Sequence, residues 1–252
     1  MIHVTDEKSR HEFRDLLGIE PLGRAVERAT DSVLSGAEAV LGRICLPAAE
    51  EVGLLLRDKV SAWRQKNMLS TIAKAQPLLQ AAASEKRHAP PRLIMESLNH
   101  ASWSDSEEVQ QMWAGLLASS CSTDGNDDGN WIFINLLGQL TAMQVRILNA
   151  ACVEAEKTML PNGLIVAEGV NRTADDLVAL TGCRDVQRID RELDHLRALG
   201  LISVGFHADS SKEAIADIRP EPLALHLYVR AQGSLQNPVE YFGLSLSDAP
   251  SA

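Results

Sequence analysis

Pro90-Pro91-Arg92-Leu93-Ile94-Met95-Glu96-Ser97-Leu98, followed by Ser104-Asp105-Ser106-Glu107-Glu108 and then Trp113-Ala114-Gly115-Leu116-Leu117-Ala118-Ser119, is the stretch that decides the fold. Two successive prolines deny helical continuity, so the segment 85–91 reads as a linker and a helix resumes at Arg92 with Leu93, Ile94 and Leu98 inward. Ser104 stands three residues before Glu107, the spacing of a capping box, and opens a second helix through Val109, Met112, Trp113, Leu116 and Leu117. The spacing thus predicts a helix, a capped turn and a helix.

Working towards the amino terminus, residues 68–83 carry Leu69, Ile72, Ala75, Leu78 and Leu79 at helical spacing, and Pro77 is expected to kink or split that helix. Before it, Val52, Leu56, Val60 and Trp63 line one face of a helix whose opposite side holds Arg57, Arg64 and Lys66. A further amphipathic segment covers residues 31–44, and Pro47 suits a first-turn position. Residues 1–29 form a polar amino-terminal segment and carry no apolar signal region, so a cytoplasmic location is expected. The apolar run 33–56 is broken by Glu38, Arg43, Pro47, Glu50 and Glu51, whereas a bilayer span needs about 20 mostly apolar residues.

In the other direction, residues 124–130 make an acidic, glycine-rich turn, and residues 131–140 an almost wholly apolar helix expected at the centre of a core. From Thr141 the rhythm changes. Thr141 caps a helix with Val145, Ile147, Leu148 and Cys152; Thr173 starts a short one that Gly182 ends; Asp185 starts a third with Ile189, Leu193 and Leu196 inward. Residues 200–204 and 214–218 read as strands joined by a polar turn, and three helices with such a hairpin describe a winged-helix module. Residues 222–229 suit either a closing helix or a strand.

The predicted fold class is therefore mainly α, a helical domain at 30–140 followed by a winged-helix (α+β) module at 141–233 and a flexible tail at 234–252. Only 4% of residues are aromatic, which disfavours a sandwich or barrel.

A formal net charge of −10 argues against coating nucleic acid through bulk electrostatics. The distribution is uneven. Residues 57–92 hold eight basic and two acidic side chains, residues 101–140 six acidic and none basic, and residues 141–233 ten basic and thirteen acidic. On the third helix of the module, Gln187, Arg188, Arg191 and His195 are candidate contacts to DNA or protein, but Asp190, Glu192 and Asp194 are interleaved with them. Arg57, Trp63, Arg64 and Lys66 are a candidate membrane or partner surface, weighed against simple core packing of the Trp63 face.

Catalytic and metal signatures do not emerge from the residues. Cys45, Cys121, Cys152 and Cys183 lie far apart, and the seven histidines show no ligand pairing. Asp124-Gly125-Asn126-Asp127-Asp128-Gly129 copies part of a calcium loop, yet Asn135 stands where its bidentate Glu belongs, and a helix-linking turn is the favoured reading. Glu107 and Glu108 are read as helix-start carboxylates. No enzyme, cofactor or metal is expected.

Several spaced blocks resemble the abortive-infection alpha (Abi-alpha) family over about residues 45–152. They are Pro47-Ala48-Ala49-Glu50-Glu51-Val52-Gly53, Asp58-Lys59-Val60-Ser61-Ala62-Trp63-Arg64-Gln65-Lys66-Asn67, Pro90-Pro91 with Leu98, Ala101-Ser102, Trp113-Ala114-Gly115-Leu116-Leu117-Ala118, and Leu140-Thr141 with Ile147-Leu148. The chain departs from the family pattern at Cys45-Leu46-Pro47 and Gly129-Asn130-Trp131, both at helix starts. The resemblance implies a helical protein of phage defence and brings no catalytic residues. Joined to the reading above, it gives a non-enzymatic binding protein with an unidentified protein partner. The alternatives are a winged-helix transcriptional regulator that contacts DNA and an effector peripheral to the inner membrane; self-association into a homo-oligomer is compatible with each.

Overall fold

The structure, a computed structural model, describes residues 62–81, 88–122, 125–207 and 214–245. The expected amino-terminal segment, the helix at 31–44, Arg57 with the rest of the helix before Ala62, and Asp124 lie outside the described residues. The chain divides into two compact units. The first takes in residues up to Asn135 together with Ala231–Gly233, and the second takes in Leu136–Arg230 and the residues from Ser234.

In the first unit α1 (Ala62–Ala81), α2 (Pro91–Ser102) and α3 (Glu107–Ser119) pack on one another. Met68, Ile72 and Ala75 recur every three to four residues on α1 and meet Ile94 and Leu98 of α2 and Ala114, Leu117 and Cys121 at α3. Alongside this apolar stripe runs a polar one. Asn67 donates to the Ser102 carbonyl (3.1 Å), and Gln110 on α3 donates to Asn67 Oδ1 (3.5 Å) and to the Ser104 carbonyl (2.9 Å).

Pro77 does not split the first helix, which runs on to Ala81. The proline sits near the end on the exposed side, beside an exposed Ala73. The carbonyl it leaves without an amide partner therefore faces water, which removes most of the penalty.

Pro91 is itself the first residue of α2, where a missing N–H costs nothing. The helix start at α3 is two residues later than the Ser104 to Glu107 spacing suggests: Ser106 is the cap, its Oγ accepting from the Val109 amide. Ser104 Oγ instead accepts from the Ser106 amide (3.3 Å). Reciprocal amide bonds between His88 and Ser122, both 2.8 Å, tie the approach to α2 to the exit from α3. Beyond it, Asn130 buries its amide on Ser119 Oγ (2.9 Å) and Ser120 Oγ (3.0 Å), which fixes where α4 (Trp131–Leu137) begins. That apolar helix is shorter than the 131–140 expected and only partly core: Ile134, Leu136 and Leu137 are buried, while Ile132 is 50% exposed.

The second unit opens with α5 (Ala142–Glu154), capped by Thr141 in a full capping box with Gln144. A hairpin the sequence reading missed follows, β1 (Lys157–Met159) paired antiparallel with β2 (Ile165–Ala167). Then come β3 (Asn171–Thr173), α6 (Ala174–Thr181), α7 (Val186–Ala198), β4 (Gly205–Phe206) and β5 (Ile215–Asp217). The sheet order is β3-β5-β4, all antiparallel. Thr173 and Asp185 cap α6 and α7 as their side-chain chemistry predicts, and Gly182 closes α6 at φ +72°, a conformation that suits glycine.

The strand expected at 200–204 is displaced. Leu201 is drawn fully into the core, Ile202 makes a single bridge to Pro220, and pairing begins only at Gly205. Asp217 fastens the sheet, its Oδ1 accepting from the amides of Val170 (3.0 Å) and Arg219 (2.9 Å) and its Oδ2 from the Arg219 guanidinium (3.1 Å). Residues 222–229 resolve into α8 (Pro222–Ala231). The start of the expected loose tail is ordered as α9 (Pro238–Tyr241), because Tyr241 and Phe242 pack against Tyr228 at 6.4 and 6.3 Å between ring centroids.

Two predictions follow from this packing. A Cβ at Gly115 would lie 1.7 Å from the Ala231 carbonyl oxygen, a clash that only backbone movement relieves. Gly115→Ala should lower the urea midpoint, at a cost of about 2 to 4 kcal/mol despite alanine's better helix propensity. The Asp176 carboxyl is held below the usual range by the Thr173 hydroxyl (2.8 Å) and amide (3.0 Å). Its cap therefore stabilises fully above the unfolded aspartate range and fades as pH falls through the depressed folded value. NMR titration should place Asp176 below its value in the urea-unfolded chain, and Thr173→Ala should return it towards that value.

Candidate functional site

Three places combine exposure with chemistry, two of them in the first unit. At the amino-terminal end of α1, Arg64 lies across the Trp103 ring with Cζ 3.9 Å from its centroid, and Trp63 stands 6.5 Å from the same ring. Arg64 is not free to swing: Nε donates to Ser102 Oγ (3.0 Å) and Nη2 to Asn99 Oδ1 (3.1 Å). Trp63 is 41% and Trp103 61% exposed, so two indoles meet water beside a fixed cation. Trp63 thus does not sit in the core as the helical pattern of Val52, Leu56 and Val60 suggests. Lys66 is exposed on the same helix. Trp103 escaped the sequence reading because it follows the last inward residue of α2 and nothing along the chain links it to Trp63; the signal available was only an aromatic at a helix exit.

The second place is a cleft of about 340 Å³ between the start of α2 and the loop before α4, lined by Pro90, Pro91, Arg92, Asn126, Asp128 and Trp131. The Arg92 guanidinium is stacked 3.5 Å from the Trp131 ring centroid. Asp127 Oδ1 accepts from the Gly129 amide (2.9 Å) and the Asp128 carbonyl from the Trp131 amide (2.8 Å), so this loop is organised as a turn. Among the described residues no group of three His, Cys, Asp or Glu could hold a metal ion.

The third is the outer side of α7. Gln187, Arg188 and Arg191 are exposed, and Arg188, Arg191 and His195 share one face at i, i+3 and i+7. His195 is half-buried, with Nδ1 2.8 Å from Gln144 Nε2, which commits one ring nitrogen to α5. Two of the acidic residues interleaved in sequence are engaged with partners, Glu192 also meeting Arg188 Nε at 3.9 Å. Glu192 is buried, accepting from Thr141 Oγ1 (3.0 Å) through a carboxylate oxygen and from Gln144 through its carbonyl (3.2 Å). Asp194 pairs with Arg197 at 2.5 Å, and Asp190 is half-buried.

One cluster resembles a nucleophile and is not built as one. Lys74 Nζ lies 2.6 Å from Ser70 Oγ. Ser70 Oγ, however, donates to Gln110 Oε1 (2.8 Å), and Lys74 also donates to Gln110 Oε1 (3.0 Å) and to Glu107 (3.2 Å). These bonds tie α1 to α3, with the Ser70 hydroxyl engaged by an amide oxygen. Glu108 likewise serves the helix start, accepting from Ser106 Oγ at 2.7 Å.

Among known protein families, the model described as abortive infection alpha matches residues 60–245. No curated protein and no solved structure matches the chain.

Burial pushes the Cys152 thiol up to about 12, with the Lys157 ammonium opposing. Folded protein treated with iodoacetamide at about pH 8 should therefore leave Cys152 unmodified, since only the thiolate reacts. Peptide mapping should find it carboxamidomethylated once urea is added, with half-exposed Cys183 modified well before it.

Proposed function

The chain belongs to the abortive infection alpha family, and on that premise we propose that it is a non-enzymatic phage-defence protein of the cytoplasm that holds a protein partner on the face made by Trp63, Arg64 and Trp103. The observation that carries this reading is the pinned pair of exposed indoles. Single exposed apolar side chains are ordinary on any surface, but two adjacent tryptophans around an immobilised arginine match the composition of binding hot spots. Because Arg64 is already fixed by Ser102 and Asn99, little side-chain entropy is lost when a partner covers it.

In the same reading residues 141–233 form a winged-helix module. Support comes from the order of α5, β3, α6, α7, β4 and β5 and from the β3-β5-β4 sheet, to which the β1–β2 hairpin is an addition. A second reading, peripheral attachment to the inner membrane, draws on the same exposed tryptophans with Arg64 and Lys66. Asp105, exposed just beyond Trp103, opposes an anionic lipid surface and favours a protein partner. No helix among the described residues is long and apolar enough to cross a membrane.

In cells challenged with phage, the chain is expected to reduce plaque counts, and Trp63→Ala with Trp103→Ala should abolish that protection while the melting temperature of the purified double variant stays within a few degrees. A double variant that protects as well as the parent would remove the assigned face. Sedimentation of the parent with anionic vesicles, lost in the double variant, would replace the protein partner by lipid.

A further inference from the structure

We propose that the outer face of α7 docks on duplex DNA, with Arg188 and Arg191 against backbone phosphates and Gln187 at the groove. The inference rests on the winged-helix reading above and goes beyond it by assigning the partner of this helix. Along the sequence, Asp190, Glu192 and Asp194 lie among the two arginines. In the fold Asp194 is engaged by Arg197, Asp190 is half-buried, and Glu192 meets Arg188 from the buried side, which leaves Arg191 without an ion pair among the described residues. Glu192 is withdrawn into the unit, where its carboxylate accepts from Thr141 Oγ1 and pairs with Arg188 Nε at 3.9 Å, while Gln144 holds its main-chain carbonyl. Asp194 is neutralised by Arg197, which reaches back over it from the next turn and also donates to the Val204 carbonyl (3.3 Å). Asp185 accepts from the Arg188 amide (3.2 Å) as the helix cap.

What remains outward is Arg191, with the Arg188 guanidinium one turn away still 53% exposed on the far side of its pair with buried Glu192. Among the described residues Arg191 makes no ion pair, so its charge is available to a phosphate. Arginine presents a planar fork of donors that phosphate oxygens accept bidentately. Ten basic and thirteen acidic side chains over residues 141–233 leave the module slightly negative. Affinity must then come from this face alone, in the range of sequence-independent binding, about 10⁻⁴ to 10⁻⁶ M.

The test is fluorescence anisotropy of a labelled mixed-sequence duplex of about 20 base pairs titrated with the full chain, with two phosphate contacts predicting roughly a tenfold loss of affinity between about 50 and 200 mM salt. Arg191→Glu, at an exposed position, should weaken binding about tenfold and flatten the salt slope by about one, while Arg191→Lys restores most of both. Because Arg188 lies near buried Glu192, Arg188→Gln is the milder second variant, and thermal melts confirm that each is folded. Absence of duplex binding at about 50 mM salt, or equal binding by folded Arg191→Glu, overturns the assignment. So does equal affinity for the single strand of the same sequence, which would place the contact outside a duplex groove. Plaque counts separate the two proposals: protection that survives Arg191→Glu but not the tryptophan variant leaves the partner-binding reading intact whatever the anisotropy shows.

Discussion

The first unit depends on a requirement that polar groups drawn out of water find partners inside. Along α1, Arg64, Asn67, Ser70 and Lys74 recur every three to four residues beside the apolar stripe, and each bonds to α2, to α3 or to the loop that joins them. A buried amide or hydroxyl left unpaired costs about 1 to 3 kcal/mol, so sliding α1 by one turn would forfeit several such terms at once. Apolar contacts supply the attraction that brings the three helices together, but they tolerate small shifts. The polar seam does not. It fixes the register, and the register sets Trp63 and Trp103 beside an Arg64 held by Ser102 and Asn99.

A comparable constraint organises the second unit. Glu192 could belong to the outer face of α7 by its place in the sequence, yet its carboxylate is claimed by the Thr141 hydroxyl, and the Gln144 side chain holds the same residue's carbonyl. Rotating the helix to expose Glu192 would also pull Ile189, Leu193 and Leu196 from the core, each almost wholly buried. At about 1.5 to 3 kcal/mol per large aliphatic side chain, burial decides the orientation, and the charge pattern of the surface follows from it. The candidate contact residues are thus selected by the core behind them. Asp217 plays the matching part for the sheet, since its carboxylate satisfies amides at the approach to β3 and the exit from β5 that the short strands leave unpaired.

Helix positions were legible where local chemistry sufficed. Thr141, Thr173 and Asp185 cap helices because a short side-chain oxygen can reach the free first-turn amides, and that needs no knowledge of the rest of the molecule. The pattern failed where neighbours intervene. Pro77 is tolerated because the carbonyl it orphans happens to face solvent. The strand at 200–204 gives way because Leu201 is worth more in the core than in a ladder. The β1–β2 hairpin and β3 went unseen, being three-residue strands that carry no alternation long enough to register.

By itself the sequence determined a mainly helical chain of the abortive infection alpha family, the helix starts at Thr141, Thr173 and Asp185, and the residue types from which any contact surface must be drawn. Periodicity and capping are local, so they survive without a fold. Only the tertiary structure decided that Trp103, forty residues from Trp63, completes one exposed patch, and that Arg191 stands without an ion pair among the described residues while Glu192 is buried and Asp194 is taken up by Arg197. Both outcomes depend on which side of a helix is buried against distant residues, a choice made by the summed desolvation of a whole core.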